Sequence, residues 1–163
     1  MYGVPEQWPH ISALYERAGF THSGGTELVC LAVVDELAQT GQPPMAGLTS
    51  WRSVGINGTR LAAVRDGDVL GYVEVEVFDE GERLRRGGWA DIGNLCVAEP
   101  YRRRGVATWL LGQAAGRLRL AQVSRLLDYA AADQAEAGYR AFLTAAGFQQ
   151  LTRTRRGWTR FLS

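Results

Sequence analysis

The stretch Asn94-Leu95-Cys96-Val97-Ala98-Glu99-Pro100-Tyr101-Arg102-Arg103-Arg104-Gly105-Val106-Ala107-Thr108-Trp109-Leu110-Leu111 carries an apolar strand through an arginine- and glycine-rich turn into an amphipathic helix. The first backbone N–H groups of a helix have no intrahelical partner, and the helix dipole leaves that end partially positive. A strand that feeds such a helix through a tight turn therefore offers a cradle in which a phosphate or pyrophosphate docks on main chain. Gly105 and Ala107 are small where backbone must approach a ligand closely, and Arg102, Arg103 and Arg104 surround the turn with positive charge.

Working outward, residues 89–98 read as a central strand and residues 106 to about 122 as a helix. Trp109, Leu110 and Leu118 form a stripe on that helix for packing against a sheet. Residues 125–130 read as the next strand. A strand–helix–strand order implies a right-handed crossover between parallel neighbours, so an α/β fold with a mixed sheet follows. Upstream, residues 60–65 and 69–78 alternate in polarity around Asp66-Gly67-Asp68, a hairpin signal. Residues 79–88 are a charged, glycine-containing loop. Downstream, a helix is expected from about Asp133 to Ala145, with strands near residues 148–152 and 158–162. At the other end, residues 11–18 have apolar positions at helical spacing and stop at Gly19. A strand is expected at residues 27–34. Residues 35–49, with Pro43-Pro44, read as a surface connection with a helical turn at residues 36–38.

Arg102-Arg103-Arg104-Gly105-Val106-Ala107 resembles the (Gln/Arg)-x-x-Gly-x-(Gly/Ala) signature of the GNAT superfamily of N-acetyltransferases. The strand Leu95-Cys96-Val97 resembles the family's hydrophobic strand, which ends near a bulge ahead of the pyrophosphate loop. Phe142-Leu143-Thr144-Ala145-Ala146-Gly147-Phe148 resembles the family's helix ending in Gly-Phe. The resemblance covers residues 58–163, the expected acetyl-coenzyme A-binding core, and implies the acyl-CoA N-acyltransferase fold, a central twisted mixed sheet flanked by helices. It implies that acetyl-coenzyme A is held on Leu95, Cys96 and Val97 and on Arg102, Arg103, Arg104, Gly105, Val106, Ala107 and Thr108, with transfer of acetyl directly to a primary amine. Tyr15-Glu16-Arg17-Ala18-Gly19-Phe20 resembles the family's Tyr-x-x-x-Gly-Phe ending as well. On that resemblance the chain is one GNAT-like domain over residues 1–163. Residues 1–35 are either the remnant tail of a preceding domain in a shortened tandem protein or an ordinary first helix and strand, with residues 36–57 as a connecting segment.

Acetyl transfer requires a deprotonated amine, a polarised thioester carbonyl and a proton for the leaving thiolate. Main-chain N–H groups on the strand at residues 95–97 supply the polarisation in such a family, so side chains matter chiefly for the proton steps. Asp91 falls where the histone-type members place a general-base glutamate, and it would need burial or a water chain to serve an amine at neutral pH. Its structural alternative is a bond to backbone or arginine. Glu74 and Glu76 share a face by two-residue periodicity and are the next candidates. The family's tyrosine four residues before the Gly of Gly-Phe is replaced here by Leu143. Tyr139 lies one helical turn earlier and is the candidate acid, with a packing role as the alternative. Asp133 resembles the family's coenzyme-holding Asn, one turn out of register.

The chain has 163 residues, 46% hydrophobic and 21% charged, enough for an ordinary globular core. A net charge of +1 gives no bulk attraction to nucleic acid or to an anionic membrane, and neither is expected as a partner. The expected partner is a small-molecule or peptide amine, and a homodimer is left open. Should residues 1–35 carry an uncovered apolar face, it would drive self-association. No apolar run approaches the length of a membrane span, so the expected location is cytoplasmic. Cys30 and Cys96 sit in apolar runs without CxxC spacing and read as buried, reduced thiols, and no metal site is expected. Arg153, Arg155, Arg156 and Arg160 surround the last strands and read as a solvated edge that discourages strand addition. Two rivals to an enzyme stay open: a non-catalytic acyl-CoA-binding regulatory module, favoured by Leu143, and an arginine-rich nucleic-acid binder, disfavoured by the net charge.

Overall fold

The computed structural model describes residues 3–39, 41–77, 88–132 and 137–160. Its elements run β1 (Val4–Pro5), α1 (Pro9–Arg17), β2 (Thr21–His22), β3 (Thr26–Val33), β4 (Thr49–Gly55), β5 (Gly58–Arg65), β6 (Asp68–Val77), β7 (Trp89–Val97), α2 (Val106–Leu120), β8 (Arg125–Ala131), α3 (Ala137–Ala145), β9 (Gln149–Arg155) and β10 (Trp158–Thr159). Eight strands form a mixed sheet of order β1-β9-β3-β8-β7-β6-β5-β4, and β10 pairs with β2. The α/β mixed-sheet expectation is met. Most of the expected 79–88 loop, Asp133 at the start of the second expected helix, and the end of the last strand lie outside the described residues. No helix among the described residues is long and apolar enough to cross a membrane.

The chain divides into two compact units, residues 32–128 and residues 1–31 with 129–163. In the first, β4, β5, β6 and β7 are antiparallel neighbours and β8 joins β7 in parallel. Asp66 and Gly67 both adopt positive φ, 53° and 89°, as a type I′ turn between right-twisted strands requires. Helix α2 packs on β5, β6 and β7. It buries Trp109, Leu110 and Leu118 at 7%, 0% and 1% exposure, the stripe expected of it. Full burial of a side chain such as Leu110 stabilises by roughly 2 kcal/mol. Arg119, near the end of α2, donates Nη2 to the carbonyls of Val34 at 2.7 Å and Leu37 at 2.6 Å, tying the helix to a single 3-10 turn at Val34–Glu36.

Strand β4 lies within the expected connecting segment of residues 36–57 and was not anticipated. Thr49, Ser50, Arg52 and Ser53 show no apolar alternation because β4 is the sheet's edge and its side chains are mostly exposed. Its regularity comes from the partner, pairing from Thr49↔Val64 to Gly55↔Gly58.

In the second unit β9 lies between β1 and β3. The arginines near it therefore do not mark an open edge: Arg156 is ion-paired to Glu27 at 2.6 Å, and Arg153 stands 3.9 Å from Glu6. Helices α1 and α3 end alike. Gly19 and Gly147 take φ of 81° and 97°, and the N–H groups of Phe20 and Phe148 return to the carbonyls of Tyr15 and Leu143, both at 3.0 Å. This is the glycine-terminated C-cap in which the donor reaches back five residues.

Candidate coenzyme and acyl-transfer site

Helix α2 opens without a side-chain cap. Its N-cap is Gly105 at φ 81°, a left-handed conformation that disfavours any side chain, and the helical ladder starts with Trp109 N–H donating to Gly105 O at 3.0 Å. The N–H groups of Val106, Ala107 and Thr108 precede that first bond, so they have no carbonyl to meet within the helix. The first turn contains no acidic residue, and Arg102, Arg103 and Arg104 are all exposed beside it. Arg103 is itself left-handed, φ 61°. Arg102 donates Nε to Val97 O at 3.0 Å, so this arginine also fastens the end of β7 to the turn. A Cβ on Gly105 would stand 3.2 Å from Cβ of Pro44, which places the 41–47 loop against the same turn. The indole N–H of Trp109 is buried without a hydrogen-bond partner among the described residues. An uncapped, cationic, glycine-opened helix start fits a pyrophosphate, and the donors it needs are main chain.

Strand β7 supplies the second component. Its parallel pairing with β8 runs from Trp89↔Arg125 to Asp91↔Leu127 and ends there. Past that point the partner of β7 is β6, with a register shift: Val75 faces Ile92 while Glu74 faces Asn94, so Gly93 is the extra residue of a bulge. The bulge corrects the burial expected of Cys96. Ala90 and Ile92 are buried, and strict alternation would continue with Asn94 and Cys96. One extra residue flips the parity, so Leu95 and Val97 follow Val73 and Gly71 while Cys96 turns out opposite Tyr72 and is exposed. Cys30 is buried as expected.

The same register gathers the polar residues. Asp91 lies directly opposite Glu76, Asn94 opposite Glu74 and Cys96 opposite Tyr72, so all six share the sheet face opposite Val73, Val75 and Ile92. Asp91 is half-buried and Glu76 exposed. Glu74 behaves differently. At 1% exposure it accepts from Arg60 Nε at 2.7 Å, Asn57 N and Asn57 Nδ2 at 3.2 Å, and Ile56 N at 3.3 Å. Burial raises its pKa, but the Arg60 hydrogen bond and charge and the Asn57 and Ile56 donors outweigh it, and the carboxyl sits below its usual 4.5. A carboxylate so saturated is a poor proton acceptor, which removes Glu74 from the candidate bases.

Tyr139 lies on α3 in the other unit, half-buried, with its ring 6.0 Å from that of Phe142. Leu143, at the position of the family tyrosine, is 1% exposed. Asn57, Arg60 and Tyr72 were not anticipated. The Asn57-Gly58 pair is itself a tight-turn signal that could have revealed the first, although the segment before it does not alternate. No group of three or more metal-ligating side chains occurs among the described residues.

The model of the acetyltransferase (GNAT) family matches residues 27–148. Among solved structures, a tandem GNAT protein from the clavulanic acid biosynthesis pathway superposes with a TM-score of 0.71 at 18% identity, over 95% of this chain and 59% of that one. A GCN5-related N-acetyltransferase from Sphaerobacter thermophilus gives 0.66 at 18% identity, over 98% and 60%. An aminoglycoside acetyltransferase from an uncultured soil metagenomic sample gives 0.51 at 20% identity, over 67% and 66%. A search of curated proteins gave no significant match. The chain thus spans about three fifths of the length of the first two of these structures. With a family match over most of its length, and the bulged strand and glycine-opened helix in the matched region, the chain belongs to the GNAT family of acyltransferases.

Proposed function

We propose that this chain transfers an acetyl group from acetyl-coenzyme A directly to a primary amine. The observation that carries the reading is the uncapped start of α2 at left-handed Gly105, next to a β7 edge that has left the β7–β8 ladder. The N–H groups of Val106, Ala107 and Thr108, with Arg103 and Arg104 nearby, bind the pyrophosphate. The main chain of Leu95, Cys96 and Val97 holds the pantetheine arm and faces the negative charge that develops on the thioester oxygen. The amine nitrogen bonds to the carbonyl carbon as the carbon–sulfur bond breaks. Asp91 receives the proton that leaves the amine, and Tyr139 returns one to the thiolate. The acceptor is a small-molecule or peptide amine, in keeping with the aminoglycoside acetyltransferase among the similar structures, and the reaction belongs in the cytoplasm.

The second reading, an acyl-CoA-binding module without turnover, is favoured by the buried Leu143 in the tyrosine position. Titrating acetyl-coenzyme A calorimetrically into the protein, then measuring free-thiol release against a panel of amines, separates the two. Binding with amine-dependent thiol release supports the enzyme. Binding without release from any amine supports the module, and no binding removes both.

A further inference from the structure

The bulge of β7 has a tether. The turn of residues 55–58 lies across β6 and β7, and glycines open the space for it: a Cβ on Gly93 would strike the side chain of Asn57, and one on Gly55 would strike the carboxylate of Glu74. From this seat the Asn57 amide donates Nδ2 both to Glu74 Oε2 at 3.2 Å and to the carbonyl of Gly93, the bulged residue, at 3.4 Å. Arg60, paired with Glu74 at 2.6 Å, also lies over the Tyr72 ring at 4.4 Å, and the Tyr72 hydroxyl accepts from Asn94 Nδ2 at 3.0 Å. Both residues of the bulge, Gly93 and Asn94, are thus held by one network centred on a buried carboxylate. Apolar alternation constrains the location of an extra residue in β7 only through the few residues a sliding bulge would pass, because residues beyond it keep the same faces wherever it sits.

We propose that Asn57, seated by Glu74, is a positioning residue that fixes the bulge at Gly93 and so determines which main-chain groups at residues 95–97 meet the pantetheine arm. The inference rests on the coenzyme reading above. Its test compares acetyl-coenzyme A with ADP, which carries a pyrophosphate for the Gly105 turn but no pantetheine. In Asn57→Ala, acetyl-coenzyme A affinity falls about tenfold, the scale of one well-placed hydrogen bond, while ADP affinity stays within about twofold. Thermal melting confirms folding, and hydrogen exchange of the amides at residues 92–97 becomes faster. Should the alanine variant not fold, Asn57→Ser, too short to reach Gly93, is judged by the same criteria. A variant that binds both ligands as the wild type does, or that loses both in proportion, overturns the proposal. Wild-type protein that binds neither ligand overturns the coenzyme reading and this inference with it.

Discussion

The turn at Gly105 and the turn at residues 55–58 are both shaped by glycines at positive φ, yet they end in opposite hydrogen-bonding states. The first leaves its donors open: no side chain caps α2, and three successive N–H groups precede the first helical bond. The second spends donors instead, delivering the N–H groups of Ile56 and Asn57 and the amide of Asn57 to one buried carboxylate. Binding capacity lies where hydrogen-bonding potential is unspent, and rigidity where it is spent. The two regions share one unit, and the second supports the strand beside the first.

The comparison breaks most sharply at Gly105. Replacing it by glutamate forces a side chain into φ 81°, crowds Pro44 and puts an anion at the positive end of α2. Acetyl-coenzyme A affinity measured by calorimetry falls by on the order of 10³, the combined scale of backbone strain, donors taken up by the new carboxylate and its repulsion of the pyrophosphate. Next come the proposed proton-transfer groups. Asp91→Asn lowers kcat roughly 100-fold and removes the acidic limb of its pH profile, while Tyr139→Phe removes the basic limb, both with coenzyme affinity unchanged. An unchanged profile in either variant removes that residue from the chemistry.

Glu74→Gln tests the closed region. Removing one partner of a buried pair is costly, but Arg60 keeps 33% exposure, so the expected loss is about 2 kcal/mol in urea unfolding. The pH dependence has a defined sign. Since the folded pKa of Glu74 lies below its ordinary 4.5, the carboxylate's contribution is fully present above 4.5 and is lost as pH falls through the lowered value. The stability gap between wild type and variant is therefore constant near neutrality and shrinks in acid. A gap that persists with Glu74 protonated contradicts the ion-pair account.

The sequence made the Gly105 region readable because its parts are consecutive: strand, turn, glycine and apolar-striped helix occupy residues 94–111, and each has a local signature. The Asn57 network has only the Asn57-Gly58 turn pair. Its members are contributed by the turn at residues 55–58, β5, β6 and β7, and only the sheet register makes Glu74 a neighbour of both Asn57 and Asn94. Glu74 accordingly reads by periodicity as the equal of Glu76 on one face, while the fold buries Glu74 at 1% and leaves Glu76 exposed. Strand β4 escaped for a related reason, since an exposed edge strand has no need of the alternation by which strands are found. The two Gly-Phe helix ends lie between these extremes. Glycine dictates the backbone at both, whereas the residue four positions earlier, Tyr15 in one and Leu143 in the other, enters the cap through its carbonyl and leaves its side chain free to differ.

Cys96 gives the smallest perturbation and a direct view of the bulge. Without Gly93 as an extra residue, Cys96 would share the buried parity of Ala90 and Ile92; with it, the thiol stands exposed opposite Tyr72. A thiol reagent should therefore titrate one cysteine in the native protein and two after unfolding, because Cys30 is buried at 7% exposure. Acetyl-coenzyme A bound on residues 95–97 should slow the native reaction, and ADP should leave it nearly unchanged because it occupies only the turn. The absence of a reactive native thiol would show that β7 does not have the parity described, whereas two would show that Cys30 on β3 is accessible. Equal protection by both ligands would place the effect at Gly105 instead of at the bulged strand.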